Sequence, residues 1–157
     1  MNIFILDRDL KKCAQYHCDK HVVKMIMEHA QMLSTACRAT GLDEGYKSTH
    51  ENHPCNRWLR ESVMNWLWLR DLTFELHEEW QYRYDHSKSK LHKSFEVVDS
   101  LSVPNLPDVS MTSFAQAMPK EYKSDDAVEA YRTYYVFGKT HLAEWTKRGR
   151  PNWMWET

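Results

Sequence analysis

The sequence predicts a mainly α-helical fold, and three observations indicate it. Only four Gly and five Pro occur in 157 residues, which is few for a turn-rich β protein. Apolar residues recur at spacings of three and four along two long stretches, as in helices that bury one face. Gly41 and Pro54 are typical of a helix end and of the first turn of the next helix. We therefore expect a compact, single-domain bundle of about four helices over residues 1–157.

The elements are expected in a simple order, with a short apolar segment before the first helix. The polar stretch after Gly41 predicts a loop, and the prolines between residues 104 and 119 predict an irregular connection. Ser124 is a suitable N-cap for the last helix. The aromatic tail should pack on the body of the domain. The expected elements are an extended segment at 2–6, a long helix at 9–40, a second at 54–84, a short one at 94–101 and a last one at 124–147.

Composition excludes several classes of protein. The formal net charge is −1, from 21 basic and 22 acidic residues, whereas proteins held mainly by a duplex backbone are usually basic. A small anionic ligand fits this balance better, although a local basic patch is still compatible with it. The sequence has four cysteines but no CxxC pair, and it has neither an apolar run of membrane-spanning length nor a signal sequence. These features predict a cytosolic protein with reduced thiols.

One stripe of polar residues carries the first functional signal. His17, His21, Lys24, Glu28 and Gln31 follow one another at intervals of four and three residues. On a helix that advances about 100° per residue, such side chains are neighbours on one face. Most other residues of that helix are apolar, so we expect the stripe to line a cleft. Imidazoles, an ammonium and a carboxylate together indicate proton transfer and anion binding.

A second signal lies just before the second helix. His50 and His53 precede Pro54, at a helix N-terminus whose free N–H groups attract anions. Alternatively, Asn52 or His53 simply caps the helix. Capping by one residue does not explain why two histidines occur three residues apart. A divalent metal at His17, His21, His50 and His53 is a further alternative that we do not favour, because lysines flank the first pair and zinc-type spacings are missing. No cofactor is expected.

Two more groups combine cations with aromatic rings. Arg83 and Tyr84 lie at the end of the second helix, where they would grip a phosphate or merely form a solvated helix end. Arg132, Tyr135 and Lys139 share a face of the last helix. Such a face can bind a phosphate and stack on a base, or it can be an ordinary amphipathic surface.

The same stretches carry a family resemblance. The chain resembles a family of small proteins of tailed phages that has no assigned activity, so no catalytic residue can be transferred from it. The resemblance implies a phage product in the cytoplasm of a bacterial host, where such proteins modify nucleic acid or counter host defence. The shared motifs are Asp-Lys-His-Val-Val-Lys-Met at 19–25, Thr-His-x-Asn-His-Pro-Cys at 49–55, Tyr-Arg-Tyr at 82–84, Ala-Met-Pro at 117–119 and Tyr-Arg-x-Tyr-Tyr at 131–135.

The polar residues favour an enzyme that hydrolyses a phosphodiester in a small nucleotide. The family resemblance implies that this nucleotide is a second messenger and that the enzyme counters host defence. Histidines would act as general acid and base, and cations would stabilise the charge on phosphorus. The alternatives are a protein that sequesters a nucleotide without catalysis, and a DNA glycosylase or base-modifying enzyme. We expect a small nucleotide as the ligand and no association with a membrane. Nucleic acid is a less favoured partner, and the protein could form a homo-oligomer. The predicted catalytic residues are His21, His50, His53 and Glu28, and the predicted binding residues are His17, Lys24, Arg83, Tyr84, Arg132, Tyr135 and Lys139.

Overall fold

The computed structural model describes residues 1–155, and over that range the secondary structure is helical, with no strand. The prediction of a mainly α-helical protein is confirmed, but the expected number of about four helices is too low. Three short 3-10 helices, at Lys120–Tyr122, Thr140–Leu142 and Asn152–Trp155, accompany six α-helices. The α-helices are α1 Leu10–Tyr16, α2 Asp19–Ala39, α3 Pro54–Arg60, α4 Val63–Arg83, α5 Lys93–Ser100 and α6 Ala127–Gly138.

The predicted helix over 9–40 is wrong in one respect, because it is broken at His17. The backbone of His17 is extended, with φ −64° and ψ 133°. The guanidinium of Arg83 donates to the carbonyls of Gln15 and His17, both at 2.6 Å, and so bonds carbonyls at the end of α1. The same guanidinium lies 3.2 Å from Asp19, the first residue of α2. A cation from a distant helix therefore stabilises the break.

The predicted helix over 54–84 is likewise two helices, with the break at Ser62. The Ser62 hydroxyl accepts from the backbone N–H of Met64 at 3.0 Å and donates to the Val109 carbonyl at 2.5 Å. The N–H of Val63 donates to the carbonyl of Pro107 at 2.9 Å. Ser62 is thus an N-cap that the irregular connection after α5 holds in place.

The last helix is shorter than predicted at both ends. Asp126, not Ser124, is its N-cap, and the helix ends at Gly138 rather than near residue 147. The segment that follows folds back on the start of α2, where Thr146 donates its N–H to the Asp19 carboxylate at 2.8 Å. Trp153 packs edge-on against Tyr16, as expected for an aromatic tail that covers the body.

Residues 2–6 form a buried segment that is not part of a sheet. Side chains bond its backbone instead: the Cys13 thiol donates to the carbonyl of Phe4 at 3.3 Å, and Arg132 donates to the carbonyl of Leu6 at 2.9 Å. These bonds fix the first residues against α1, α2 and α6. The segment therefore delivers Met1 to a defined place on the structure.

The apolar side chains of α2 and α4 lie at the centre of the core, and they include Ile26, Leu33, Trp66 and Leu69, all fully buried. The division of the chain into one domain stays a prediction. Within residues 1–155, no helix combines the length and the apolar character that a membrane span requires.

Candidate active site

The α-amino group of Met1 lies against a buried carboxylate. Its nitrogen is 3.2 Å from Oε1 of Glu28, and both groups are largely shielded from solvent. Lys24, one turn earlier on α2, places its Nζ 3.7 Å from the other carboxylate oxygen, Oε2. Lys24 is well exposed, with 64% of its side chain accessible. One oxygen of the Glu28 carboxylate thus contacts the shielded amine of Met1, and the other faces the exposed ammonium of Lys24.

His53 borders this pair. Its Nδ1 accepts from the N–H of Cys55 at 3.1 Å, so the predicted capping of α3 is made by His53 itself. In the neutral ring the proton is then on Nε2. Burial lowers the pKa of His53, the positive α-amino group lowers it further, His50 adds to the effect, and Glu28 opposes it. The neutral form of the imidazole is therefore favoured beside the amine.

Asn2 fixes the backbone next to the amine. Its side-chain amide donates to the carbonyl of Ala117 at 2.8 Å, and its Oδ1 accepts from the N–H of Ile3 at 2.8 Å. The hydroxyl of Tyr131 lies 3.0 Å from the same oxygen. A side chain held at three points leaves little freedom to the residue before it, so the position of the amine is constrained.

The loop before α3 is held close to Met1 by Asn56. The amide of Asn56 donates to the carbonyls of His50 at 2.8 Å and Thr49 at 3.1 Å, and lies 3.6 Å from the sulfur of Met1. His50 has a left-handed backbone, with φ 50°, and its exposed ring contacts the Thr49 hydroxyl at 2.7 Å. The loop therefore brings His50 to the edge of the site.

Four of the predicted residues thus come together: Lys24, Glu28, His50 and His53. Sequence reasoning missed the group at their centre, because the α-amino group of Met1 belongs to the backbone and has no residue type of its own. One signal could have revealed it. The run Ile3–Leu6 is entirely apolar and begins two residues after Met1, so its burial carries Met1 into the structure.

Both histidines of the predicted stripe are in the core. His21 stacks on Phe4, with ring centroids 4.4 Å apart, and its Nδ1 is 2.6 Å from the Tyr135 hydroxyl. Burial, aided by nearby cationic groups, lowers its pKa to about 3. His17 is not on α2 at all; its Nδ1 donates to the Cys13 carbonyl at 2.7 Å, and burial lowers its pKa to about 4. Neither contact brings these rings to His53, and their predicted roles stay untested.

The predicted binding arginines are engaged by the protein itself. Arg83 is buried and pairs with Glu79, whose Oε2 is 2.7 Å from its Nε, as well as with Asp19. Arg132 pairs with Asp7 at 3.0 Å and lies over the ring of Trp153. These bonds explain why the two guanidinium groups hold helices and loops together instead of lining the rim of the site.

The remaining predicted binding residues are distributed differently. Tyr135 is buried under His21. The exposed Tyr84 donates its hydroxyl to the carbonyl of Asp19 at 2.9 Å. Lys139 lies over the ring of Tyr134, 5.0 Å from its centroid, and is close enough to His21 to lower the pKa of that imidazole.

A metal site receives no support from the residues that the structure describes. In the range 1–155, no three His, Cys, Asp or Glu side chains are grouped so that they could hold a metal ion.

Two surface cavities lie away from Met1. One, of about 490 Å³, is lined by α6 together with Asn152 and Trp153, and the other, of about 310 Å³, lies between α4 and α5.

Comparison with known proteins adds one finding to this geometry. No curated protein and no solved structure matches the chain. A family model described as pyrimidine dimer DNA glycosylase matches residues 1–92, a range that contains Met1, Lys24, Glu28, His50 and His53. Because the match covers more than half of the 157 residues, the chain belongs to the pyrimidine dimer DNA glycosylase family.

Proposed function

We propose that this protein is a DNA glycosylase that acts on pyrimidine dimers, with the α-amino group of Met1 as its nucleophile. One observation carries the proposal: the amine is held 3.2 Å from the buried carboxylate of Glu28, inside the part of the chain that matches the family. Family membership favours the DNA glycosylase alternative of the sequence analysis over hydrolysis of a small nucleotide.

The chemistry follows from what an amine can do at a sugar carbon. In its neutral form the amine donates its lone pair to C1′ of the damaged nucleotide, while the glycosidic C–N bond breaks and the base leaves with the bonding electrons. The base takes up a proton and the nitrogen loses one. As the sugar ring opens, O4′ leaves with the electrons of the C1′–O4′ bond and takes up the second proton of the nitrogen, which gives an imine between Met1 and C1′. Water then hydrolyses the imine, which frees the amine and leaves an abasic sugar.

Glu28 has two tasks in this scheme. Its carboxylate accepts a proton from the α-ammonium group, which generates the nucleophile. It also stabilises the positive charge that develops on C1′ and the ring oxygen as the glycosidic bond breaks, as carboxylates do in other glycoside cleavages. Because Glu28 is buried, its negative charge acts at short range with little screening by water.

Cations near the site would hold the phosphate backbone. Lys20 and Lys24 are exposed on α2, and the ammonium of Lys24 lies 3.7 Å from the Glu28 carboxylate. The net charge of −1 describes the whole chain and does not exclude such a local group. This arrangement answers the sequence-based argument against nucleic acid, which rested on the global balance of charge.

The test is covalent trapping. Ultraviolet-irradiated duplex DNA is incubated with the protein and borohydride, which reduces an imine to a stable amine, and the adduct is located by peptide mass spectrometry. We expect an adduct on Met1, none with undamaged DNA, and at least about a 100-fold lower rate for Glu28→Gln, because a general base contributes about 10²–10⁴-fold. Glu78→Gln, an exposed carboxylate of α4, is the matched control.

Two further measurements protect the interpretation. Intact mass first establishes that Met1 of the purified protein carries a free α-amino group, and a variant with Gly-Ser added before Met1 should lose adduct formation. An adduct on a lysine, or full activity of the extended variant, would overturn the assignment of the nucleophile. Nucleotide hydrolysis or tight nucleotide binding, without any action on irradiated DNA, would favour the two small-nucleotide hypotheses. Phage origin, a host-cytoplasm location and a role against host defence stay predictions.

A further inference from the structure

The solvent-facing side of α2 is unusual next to the proposed site. Its neighbours α3, α4 and α5 cover the other sides of the helix. Lys20 and Lys24 are exposed, Gln31 is half-buried, and between them stands Met27, an apolar side chain with 40% of its surface accessible. We call the four residues Lys20, Lys24, Met27 and Gln31 the outer stripe.

Helix geometry places Met27 beside the reactive groups. Met27 follows Lys24 by three residues and precedes Gln31 by four, so these side chains are neighbours on the helix surface. The next residue, Glu28, turns by about 100° toward the interior, where it meets the amine of Met1. The backbone positions of Met27 and Glu28 are therefore only about 1.5 Å apart along the helix axis, although their side chains point in directions about 100° apart.

An apolar side chain between cations suits a duplex with an opened base stack. An enzyme that attacks C1′ or a base inside a duplex must unstack the nucleotide, which costs a few kcal/mol. Apolar wedges such as Met enter the gap between base steps and offset part of that loss. Flanking lysines then bind the phosphates on either side.

We infer that the outer stripe is the DNA-facing surface and that Met27 is the wedge that enters the base stack at the lesion. The inference rests on the proposed function for the identity of the substrate. It adds a residue that takes no part in bond breaking and acts only where bases are stacked. A protein partner on the same surface is the competing occupant, and the charges of Lys20 and Lys24 favour the polyanion.

The experiment compares Met27→Ala with Met64→Ala on two forms of one substrate. Met64 is an exposed methionine of α4, 44% accessible, and serves as the matched control. Single-turnover rates are measured on a duplex and on a single strand with the same pyrimidine dimer. We expect Met27→Ala to lower the duplex rate by about tenfold. Without the wedge, less of the cost of unstacking is offset, so the activation barrier on duplex DNA is higher. The single-strand rate should stay within about twofold, since little stacking has to be opened there.

Two additional readouts make the result specific. Met27→Leu, which keeps an apolar side chain of similar size, should restore the duplex rate, whereas Met27→Gln should not. A 2-aminopurine base beside the lesion should brighten when the wild-type protein binds, and should brighten less with Met27→Ala. Equal losses on duplex and single strand, or no loss on the duplex, would overturn the role of the wedge.

Failure of this inference can be told apart from failure of the proposed function. If the wild-type protein brightens the probe more than Met27→Ala does but forms no adduct and removes no base, the amine chemistry is wrong while the wedge stands. If it removes dimers from both strand forms and Met27→Ala matches Met64→Ala, the chemistry stands and the wedge is wrong. If the wild-type protein neither brightens the probe nor acts on DNA, both are wrong.

Discussion

The hydroxyl of Tyr131 lies 3.0 Å from the side-chain oxygen of Asn2, so helix α6 is bonded to the residue next to the proposed nucleophile. The same hydroxyl accepts from the N–H of Ala117 at 3.2 Å. Tyr131 and Ala117 both lie beyond residues 1–92, the range matched by the family model. The rest of the chain is therefore in contact with the site, although the reactive groups all lie inside the matched range.

Replacement of Tyr131 by Phe tests this connection. Loss of the buried hydroxyl leaves the Ala117 N–H without its acceptor and removes one of the three contacts that hold Asn2, so we expect a destabilisation of about 1–3 kcal/mol in urea unfolding. The single-turnover rate on irradiated duplex should fall more than the affinity for that duplex does, because the amine is displaced while the lysines remain. Tyr134→Phe, on the same helix, is the control; an equal effect of both variants on the rate would contradict a positioning role.

Arg83 supports a different prediction, which concerns stability. Its guanidinium bonds two helix-terminal carbonyls and two carboxylates at once, a geometry that a lysine ammonium does not reproduce. We expect Arg83→Lys to destabilise the protein by about 3–5 kcal/mol, as for other broken buried ion pairs. Arg57→Lys, at an exposed position of α3, should change the unfolding free energy by less than about 0.5 kcal/mol. Equal midpoints in urea for the two variants would show that Arg83 does not maintain the break between α1 and α2.

The same residue shows where sequence reasoning reaches its limit for the fold. Hydrophobic periodicity predicted helices wherever the structure has α1 to α4, because the pattern reports the buried face. It did not reveal the breaks at His17 and Ser62. Those breaks depend on partners distant in sequence, Arg83 for the first and the carbonyls of Pro107 and Val109 for the second. Local propensity carries no information about such partners.

For the site, the sequence grouped residues that the structure also brings near the amine where a helix or a loop carries them there directly, and their predicted roles stay predictions. Glu28 and Lys24 share a helical face, and His50 and His53 adjoin Pro54, so spacing was sufficient to group each pair. The helical spacing of polar residues predicted that His21 lines a cleft, whereas its ring packs on Phe4 in the core. Spacing alone does not distinguish these two positions. Apolar segments that pack over a polar stripe can bury it, and only the tertiary structure shows where that happens.

Lys24 provides a prediction about DNA binding. Its exposed ammonium is expected to contact one phosphate, and each such contact releases about one counterion. Lys24→Ala should therefore weaken binding to irradiated and undamaged duplex alike, and should reduce the slope of log K against log salt by about 1. Lys90→Ala, in the exposed loop between α4 and α5, should leave the slope unchanged. Identical slopes for wild type and Lys24→Ala in a fluorescence anisotropy titration would remove Lys24 from the interface.

The buried histidines predict how stability depends on pH. Burial lowers the pKa of His17 to about 4 and that of His21 to about 3, whereas a histidine in the unfolded chain titrates near about 6.5. Between these values the unfolded chain binds protons that the folded chain does not, so falling pH favours unfolding. The stability from each neutral ring is complete above about pH 6.5, and His17 alone should account for a loss of roughly 3 kcal/mol by pH 4.

A variant without one of these rings isolates the effect. His21→Gln removes a titrating group, so its unfolding free energy should fall less steeply between pH 7 and pH 5 than that of the wild type, even if the variant is less stable at pH 7. Urea unfolding at half-unit pH intervals gives both slopes. Asn105→Gln, an exchange at an exposed position that removes no titrating group, is a suitable control and should leave the slope unchanged. Parallel curves for the wild type and His21→Gln would mean that His21 takes up its proton at similar pH in the folded and unfolded chain. That result would contradict its burial as a neutral base against Phe4 and Tyr135, and would return His21 to the candidates for proton transfer.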